Sequence, residues 1–175
     1  YSNQYFDDFN LRPIIGKELP FYANLGIAQL DELLVNKETD KIHELIFQLQ
    51  ADGLIIHVNP TQEWLQPEGD RFKRPAIETI SELIDHINGQ YNVIIKEVGQ
   101  GIGPASLEQL LKLKIDGIEF GAFGGTNFAS IEIMRNNGRL ANFMYPLTTI
   151  GHNADDMVDI INEILLDHPV HCKQI

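Results

Sequence analysis

Short apolar runs alternate along this chain with stretches of helical period, and that alternation confines it to α/β architectures. The strand candidates are 20–24, 54–58, 92–97, 117–121, 143–147 and 170–175. Val93, Ile94 and Ile95 are apolar on both faces, as parallel strands under helices require. Between the runs, Ile42, Leu45, Ile46 and Leu49 repeat at i, i+3, i+4 and i+7 behind Thr39, a candidate N-cap. Ile77, Ile80, Leu83, Ile84 and Ile87 make the next stripe. Ser106 and Gln109 form a capping-box pattern ahead of Leu110, Leu111 and Leu113. Asn153 is a candidate cap for a helix whose stripe is Met157, Ile160, Ile161, Ile164 and Leu165. Strands recur every ~25–40 residues, the period of βα units. Such a series fits a doubly wound open sheet or part of a (β/α)8 barrel, which takes ~250 residues, and periodicity does not choose between them.

A chain of 175 residues with 43% hydrophobic content supports one core, so residues 1–175 are expected to form a single domain. Its formal charge of −12 argues against nucleic acid, and its one basic cluster is Arg71, Lys73 and Arg74. An anionic substrate would therefore need a metal, a few local cations or helix N-termini. Cys172 is the sole cysteine, which excludes an intrachain disulfide and points to a reducing cytoplasm. No apolar run approaches the ~20 residues of a membrane span. The chain opens on Tyr1 rather than Met and closes in Val170–Ile175, which reads as the entry to another strand, so both ends are expected to be cut.

The chemistry concentrates in residues 52–72, DGLIIHVNPTQEWLQPEGDRF. Strand alternation puts Ile55, His57 and Asn59 on one face and Ile56 and Val58 on the other. Polar groups at the carboxyl end of an apolar strand are where α/β proteins place their sites. Pro60 ends the strand, and the longest loop, about 59–75, carries Gln62 and Glu63. Glu63 offers a hard oxygen ligand beside two amides, a combination suited to Mg²⁺ that is also held by a substrate phosphate. On residue type alone, His57 is equally a hydrogen-bonded core histidine, and Asn24 a turn residue. Lys96 closes a strand; a surface pair with Glu97 is the plain alternative, weakened because neighbouring strand residues face opposite ways. Gly99, Gly101 and Gly103 are spaced GxGxG rather than GxGxxG and read as a tight βα turn. Gly124, Gly125 and Thr126 precede a helix beginning near Asn127, where backbone N–H groups bind phosphate or simply turn the chain. His152 is left undecided, and His43, His86, His168 and His171 are expected to be solvated.

Together with FYANLG at 21–26, IIKEVGQGIG at 94–103 and DGIEFGAFGGTNFASIE at 116–132, the 52–72 run resembles type 2 isopentenyl-diphosphate delta-isomerase, the flavin-dependent kind. The motifs occur in the family's order. The resemblance implies a partial TIM (β/α)8 barrel of the FMN-dependent type, covering about strands 2 to 7. It implies conversion of isopentenyl diphosphate to dimethylallyl diphosphate, with reduced FMN as acid and base, Mg²⁺ on the diphosphate and NADPH as reductant. By that resemblance Asn24, Lys96 and Thr126 contact the flavin, with Lys96 at its N1/O2 edge. His57 and Asn59 lie near the diphosphate, Gln62 contacts the isoprenoid carbons as the catalytic amide, and Glu63 holds Mg²⁺. A homo-oligomer follows from the same resemblance. The family's N-terminal basic segment, first strand and two late strands have no counterpart in these residues. The alternatives are another FMN-dependent TIM-barrel oxidoreductase, or a catalytically silent flavin-binding module.

Overall fold

The computed structural model describes residues 6–135 and 143–175. It is α/β. Four strands, β1 (Tyr22–Gly26), β2 (Gly53–His57), β3 (Asn92–Lys96) and β4 (Gly117–Glu119), form a parallel sheet of order β1-β2-β3-β4. The helices are α1 (Phe6–Phe9), α2 (Arg12–Ile15), α3 (Ile27–Val35), α4 (Asp40–Leu49), α5 (Pro60–Leu65), α6 (Ala76–Ile87), α7 (Pro104–Leu111), α8 (Phe128–Arg135) and α9 (Ala154–Asp167).

Each strand pairs with the next in sequence, and the strand reversal of a doubly wound sheet does not occur among these four. The two sheet faces differ. Ala23, Leu25, Leu54, Ile56, Val93, Ile95 and Ile118 are at most 5% exposed and pack under the helices with Leu30, Ile80, Leu83, Leu107 and Leu111. Each of these leucine, isoleucine and valine side chains contributes about 1.5–3 kcal/mol by leaving water. The opposite face carries Asn24, Ile55, His57, Ile94, Lys96 and Glu119, all partly or fully exposed.

The amino-terminal edge of the sheet is fastened by Arg12. Its guanidinium donates to the carbonyls of Gln50, Gly16 and Leu19 and to Asp52 Oδ2 at 2.7–3.0 Å, and Asp52 Oδ2 also accepts Phe21 N–H.

Several local expectations change. Residues 143–147 hold no strand; Tyr145–Thr149 is a 3₁₀ turn in which Thr148 and Thr149 hydroxyls donate to the carbonyls of Tyr145 and Pro146. Pro146 has no N–H for a ladder. Residues 170–175 form no strand either, although Ile118 N–H donates to Gln174 O at 3.1 Å beside β4. α7 begins at Pro104, two residues before Ser106, so the capping box there does not form; proline's missing N–H and preset φ suit it to a first helical position. Thr39 stands at the N-cap of α4 without a side-chain cap bond, whereas Asn153 caps α9 by accepting Asp156 N–H. β1 ends at Gly26, two residues past the expected boundary.

Candidate active site

The register sets a polar row across the uncovered face. His57 pairs with Gly26 on one side and Lys96 on the other, and Lys96 pairs with Glu119. One residue pair toward the amino end lie Asn24, Ile55 and Ile94. Sequential parallel pairing thus brings His57 and Lys96 to the carboxyl ends of adjacent strands, with Asn24 two residues before the end of β1.

Asn24 Nδ2 lies 3.1 Å from His57 Nδ1, a contact suited to the tautomer in which Nδ1 accepts and Nε2 carries the ring proton. A Cβ on Gly26 would stand 3.0 Å from His57 Nε2, so the glycine leaves room for the imidazole. Burial first, then the Lys96 charge, lower the His57 pKa, and Glu63 opposes them more weakly. Burial and the Lys96 charge both favour the neutral ring. Lys96 Nζ donates to Glu97 O at 3.1 Å and lies 3.9 Å from Glu119 Oε2. The side chain of Glu97 turns away from it, so the simple Lys96–Glu97 pair is not formed.

Glu97 organises the glycine turn. It is 7% exposed, and its Oε2 accepts N–H from Gly99, Gln100 and Gly101 at 2.6, 2.6 and 3.1 Å. Gly121, at φ +51°, lies against it, with a hypothetical Cβ 2.3 Å from the Glu97 carbonyl. This is the tight turn that the GxGxG spacing predicts. His152 belongs to the same stack through its backbone: its N–H donates to Gln100 O and its carbonyl accepts Phe123 N–H. Behind the turn, on the helix side, a cavity of about 310 Å³ is bordered by Val58, Ile80, Glu97, Ser106, Leu110 and His152.

Beyond β2 the chain does not continue as a loop. α5 starts at Pro60, so Gln62 and Glu63 are held on a helix, and the strand alternation that would seat Asn59 with His57 ends at His57. Asn59 is 5% exposed and donates from Nδ2 to Glu63 Oε1 at 2.9 Å and to Gln62 Oε1 at 3.3 Å. Glu63 Oε2 accepts Asp70 N–H at 2.8 Å, and Glu63 O accepts from Arg71. The carboxylate is thus aimed from both sides. Trp64 beside it is exposed and has no assigned chemistry. The loop's far end is tied down by Arg74, which bonds Asp31 on α3 and Glu82 on α6.

One residue of this cluster escapes the sequence: Glu132 on α8, 4% exposed between Ala129 and Ile133. Its Oε1 accepts from Gln66 Nε2 at 2.8 Å and Gln62 Nε2 at 3.5 Å, and its Oε2 takes Arg135 Nη1 at 2.5 Å. Its helical period next to Phe128 and Ile131 gives no hint, because its glutamine partners lie about seventy residues back. Thr126 sits on the exposed turn before α8, whose first turn is capped by Asn127 Oδ1 accepting Ser130 N–H. The structure therefore groups His57, Asn24 and Lys96 on the sheet and Asn59, Gln62 and Glu63 just beyond it, while Thr126 stands on the next turn.

No family model matches the chain. Its similarity is to proteins named isopentenyl-diphosphate delta-isomerase. That of Borrelia garinii subsp. bavariensis is 34% identical over 134 residues, 77% of this chain and 36% of the relative. That of Rickettsia akari is 32% identical over 128 residues, 73% and 36% of the two chains. That of Picrophilus torridus is 40% identical over 115 residues, 65% and 32%. The chain thus spans about a third of the length of the relatives it matches. Among the described residues, no helix is long and apolar enough to cross a membrane.

Proposed function

We propose that this chain is part of a type 2, FMN-dependent isopentenyl-diphosphate delta-isomerase, contributing about strands 2 to 7 of its (β/α)8 barrel. The observation that carries the reading is the gathering of His57, Lys96, Asn59, Gln62 and Glu63 at the carboxyl ends of consecutive parallel strands, with Asn24 bonded to His57. Support comes also from the one-sided covering of the sheet, the arrangement of barrel strands.

The residues present fit the flavin. The uncovered face offers apolar Ile55 and Ile94 beside the Lys96 cation and the Asn24 amide. Asn24, Lys96 and Thr126 would hold it. When bound and reduced by NADPH, FMN supplies the proton donor and acceptor for an alkene that no side chain here is acidic enough to protonate. The residues fit Mg²⁺ as well. Glu63 presents one oriented carboxylate, and Mg²⁺ commonly takes one or two carboxylates and completes its shell with water and substrate phosphate. Neutral His57 would donate from Nε2 to a diphosphate oxygen without the repulsion that a second carboxylate would bring. Asn59 orients both Glu63 and Gln62, and Gln62 would present its amide to the isoprenoid carbons. The reading carries with it a cytoplasmic homo-oligomer.

The test is anaerobic turnover by the complete gene product, supplied with reduced FMN, Mg²⁺ and isopentenyl diphosphate, with dimethylallyl diphosphate as the readout. Absence of product refutes the isomerase; flavin binding without product leaves the silent module.

A further inference from the structure

We propose that Arg135 is a positioning residue that, acting through Glu132, fixes which way the Gln62 amide faces. The inference rests on the reading in which Gln62 contacts substrate.

A carboxylate in the apolar seam between Ala129 and Ile133 is costly without partners. Glu132 has three, and they divide between its oxygens. Arg135 Nη1 takes Oε2, which leaves Oε1 for the amides of Gln62 and Gln66. The two ends of a glutamine amide are nearly alike in shape, so the groups around it choose its orientation. At Gln62 a carboxylate faces Nε2 and the Asn59 NH₂ faces Oε1, and both favour the same orientation. Withdraw Arg135 and Oε2 loses its donor; the carboxylate can turn, and the 3.5 Å contact to Gln62, the longest of the set, is the first to be lost. The same guanidinium reaches Glu68 through Nη2 at 2.8 Å, so it also holds the segment that follows α5. Arg135 itself is 54% exposed, and replacing it opens no core cavity.

The experiment compares Arg135→Met, Arg135→Lys, Glu132→Gln and the Arg135→Met/Glu132→Gln double variant in the complete gene product. Steady-state kinetics are combined with ¹⁵N-edited NMR of the side-chain amides. Arg135→Met is expected to lower kcat about tenfold while KM for isopentenyl diphosphate stays within about twofold, since an orientation used at the reacting carbons is lost rather than substrate affinity. Arg135→Lys should recover most of that loss, and Arg135→Met should cost nothing further once Glu132 is Gln. The Gln62 Nε2 resonance should move in Arg135→Met and in Glu132→Gln. Unchanged kcat in Arg135→Met, or effects that multiply in the double variant, would overturn the proposal. Should the unsubstituted protein fail to isomerise, the functional reading falls by itself. The NMR arm then still decides the geometry: a Gln62 shift in Arg135→Met upholds it, and a fixed resonance overturns it.

Discussion

Replacing Glu97 by Ala should cost about 2 kcal/mol of stability at pH 7, and the figure follows from opposing contributions. Three backbone N–H groups converge on one carboxylate oxygen, two of them at 2.6 Å. Hydrogen bonds to a charged partner are worth about 1.5–3 kcal/mol each, so their low-end sum is about 5 kcal/mol. Against this stands the penalty of holding an ion at a site only 7% exposed, several kcal/mol, which the substitution relieves. The pKa reflects a different comparison, ion against neutral acid at the same site, and there burial outweighs the N–H donors, so the Glu97 pKa is raised. A carboxyl whose pKa is higher folded than unfolded binds its proton more tightly when folded. Its contribution is therefore largest below the ordinary carboxylate range and declines as pH rises through the raised value. Glu97→Gln keeps an acceptor oxygen without the charge, so it should cost under about 1 kcal/mol at pH 7 and remove that decline. Urea unfolding followed by circular dichroism across pH 4–8 measures both. An Ala variant within about 0.5 kcal/mol of the parent, or a Gln variant with the parent's pH slope, would refute the reasoning.

Glu63→Ala should weaken Mg²⁺ and diphosphate dependence while flavin still binds, and Lys96→Ala should damage flavin binding instead; titrations of each ligand check this, and reversed phenotypes would undo the assignment. Lys96→Met should raise the His57 pKa toward the ordinary imidazole value, read from the ring proton shifts, because the Lys96 charge helps to depress it. A depressed imidazole favours folding above its ordinary pKa and loses that contribution as pH falls from there through the depressed value, so Lys96→Met should also soften acid unfolding. Arg12→Ala should cost about 3 kcal/mol by thermal unfolding, as for breaking a buried ion pair discounted for the half-exposed Asp52, with no effect on flavin affinity. Gly121→Ala should cost more than the ~1 kcal/mol of a left-handed alanine, because its Cβ meets Glu97 backbone rather than a side chain that can move.

What could be read from the residues followed local physics. β2 and β3 announce themselves by apolar runs closed by polar residues, and the α6 stripe buries Ile80, Leu83 and Ile87 as its period requires. The tight turn at Gly99–Gly103 was legible because a GxGxG spacing lacks the register of a dinucleotide loop. Asn59, Gln62 and Glu63 were found as a group, but their helix was not, since Pro60 reads as a strand stop when it is also a first helical residue. The 143–147 segment carries strand-favouring residues, yet Thr148 and Thr149 satisfy carbonyls locally and no strand among the described residues pairs with it. Glu132 was illegible for another reason: apart from Arg135, three residues on, its partners are glutamines set by how α5 and α8 meet, which no local pattern records.

The double tether on Glu63 makes the chain its own reporter. Each oxygen already takes one donor, Asn59 on one and the Asp70 amide on the other, so a cation that draws on the carboxylate shares it with the helix and loop that flank it. Trp64 is the next residue, it is 54% exposed, and it is the sole tryptophan of the sequence. Its emission therefore arises at one place, one peptide bond from the carboxylate, and a cation titration read at that wavelength follows the site without a label.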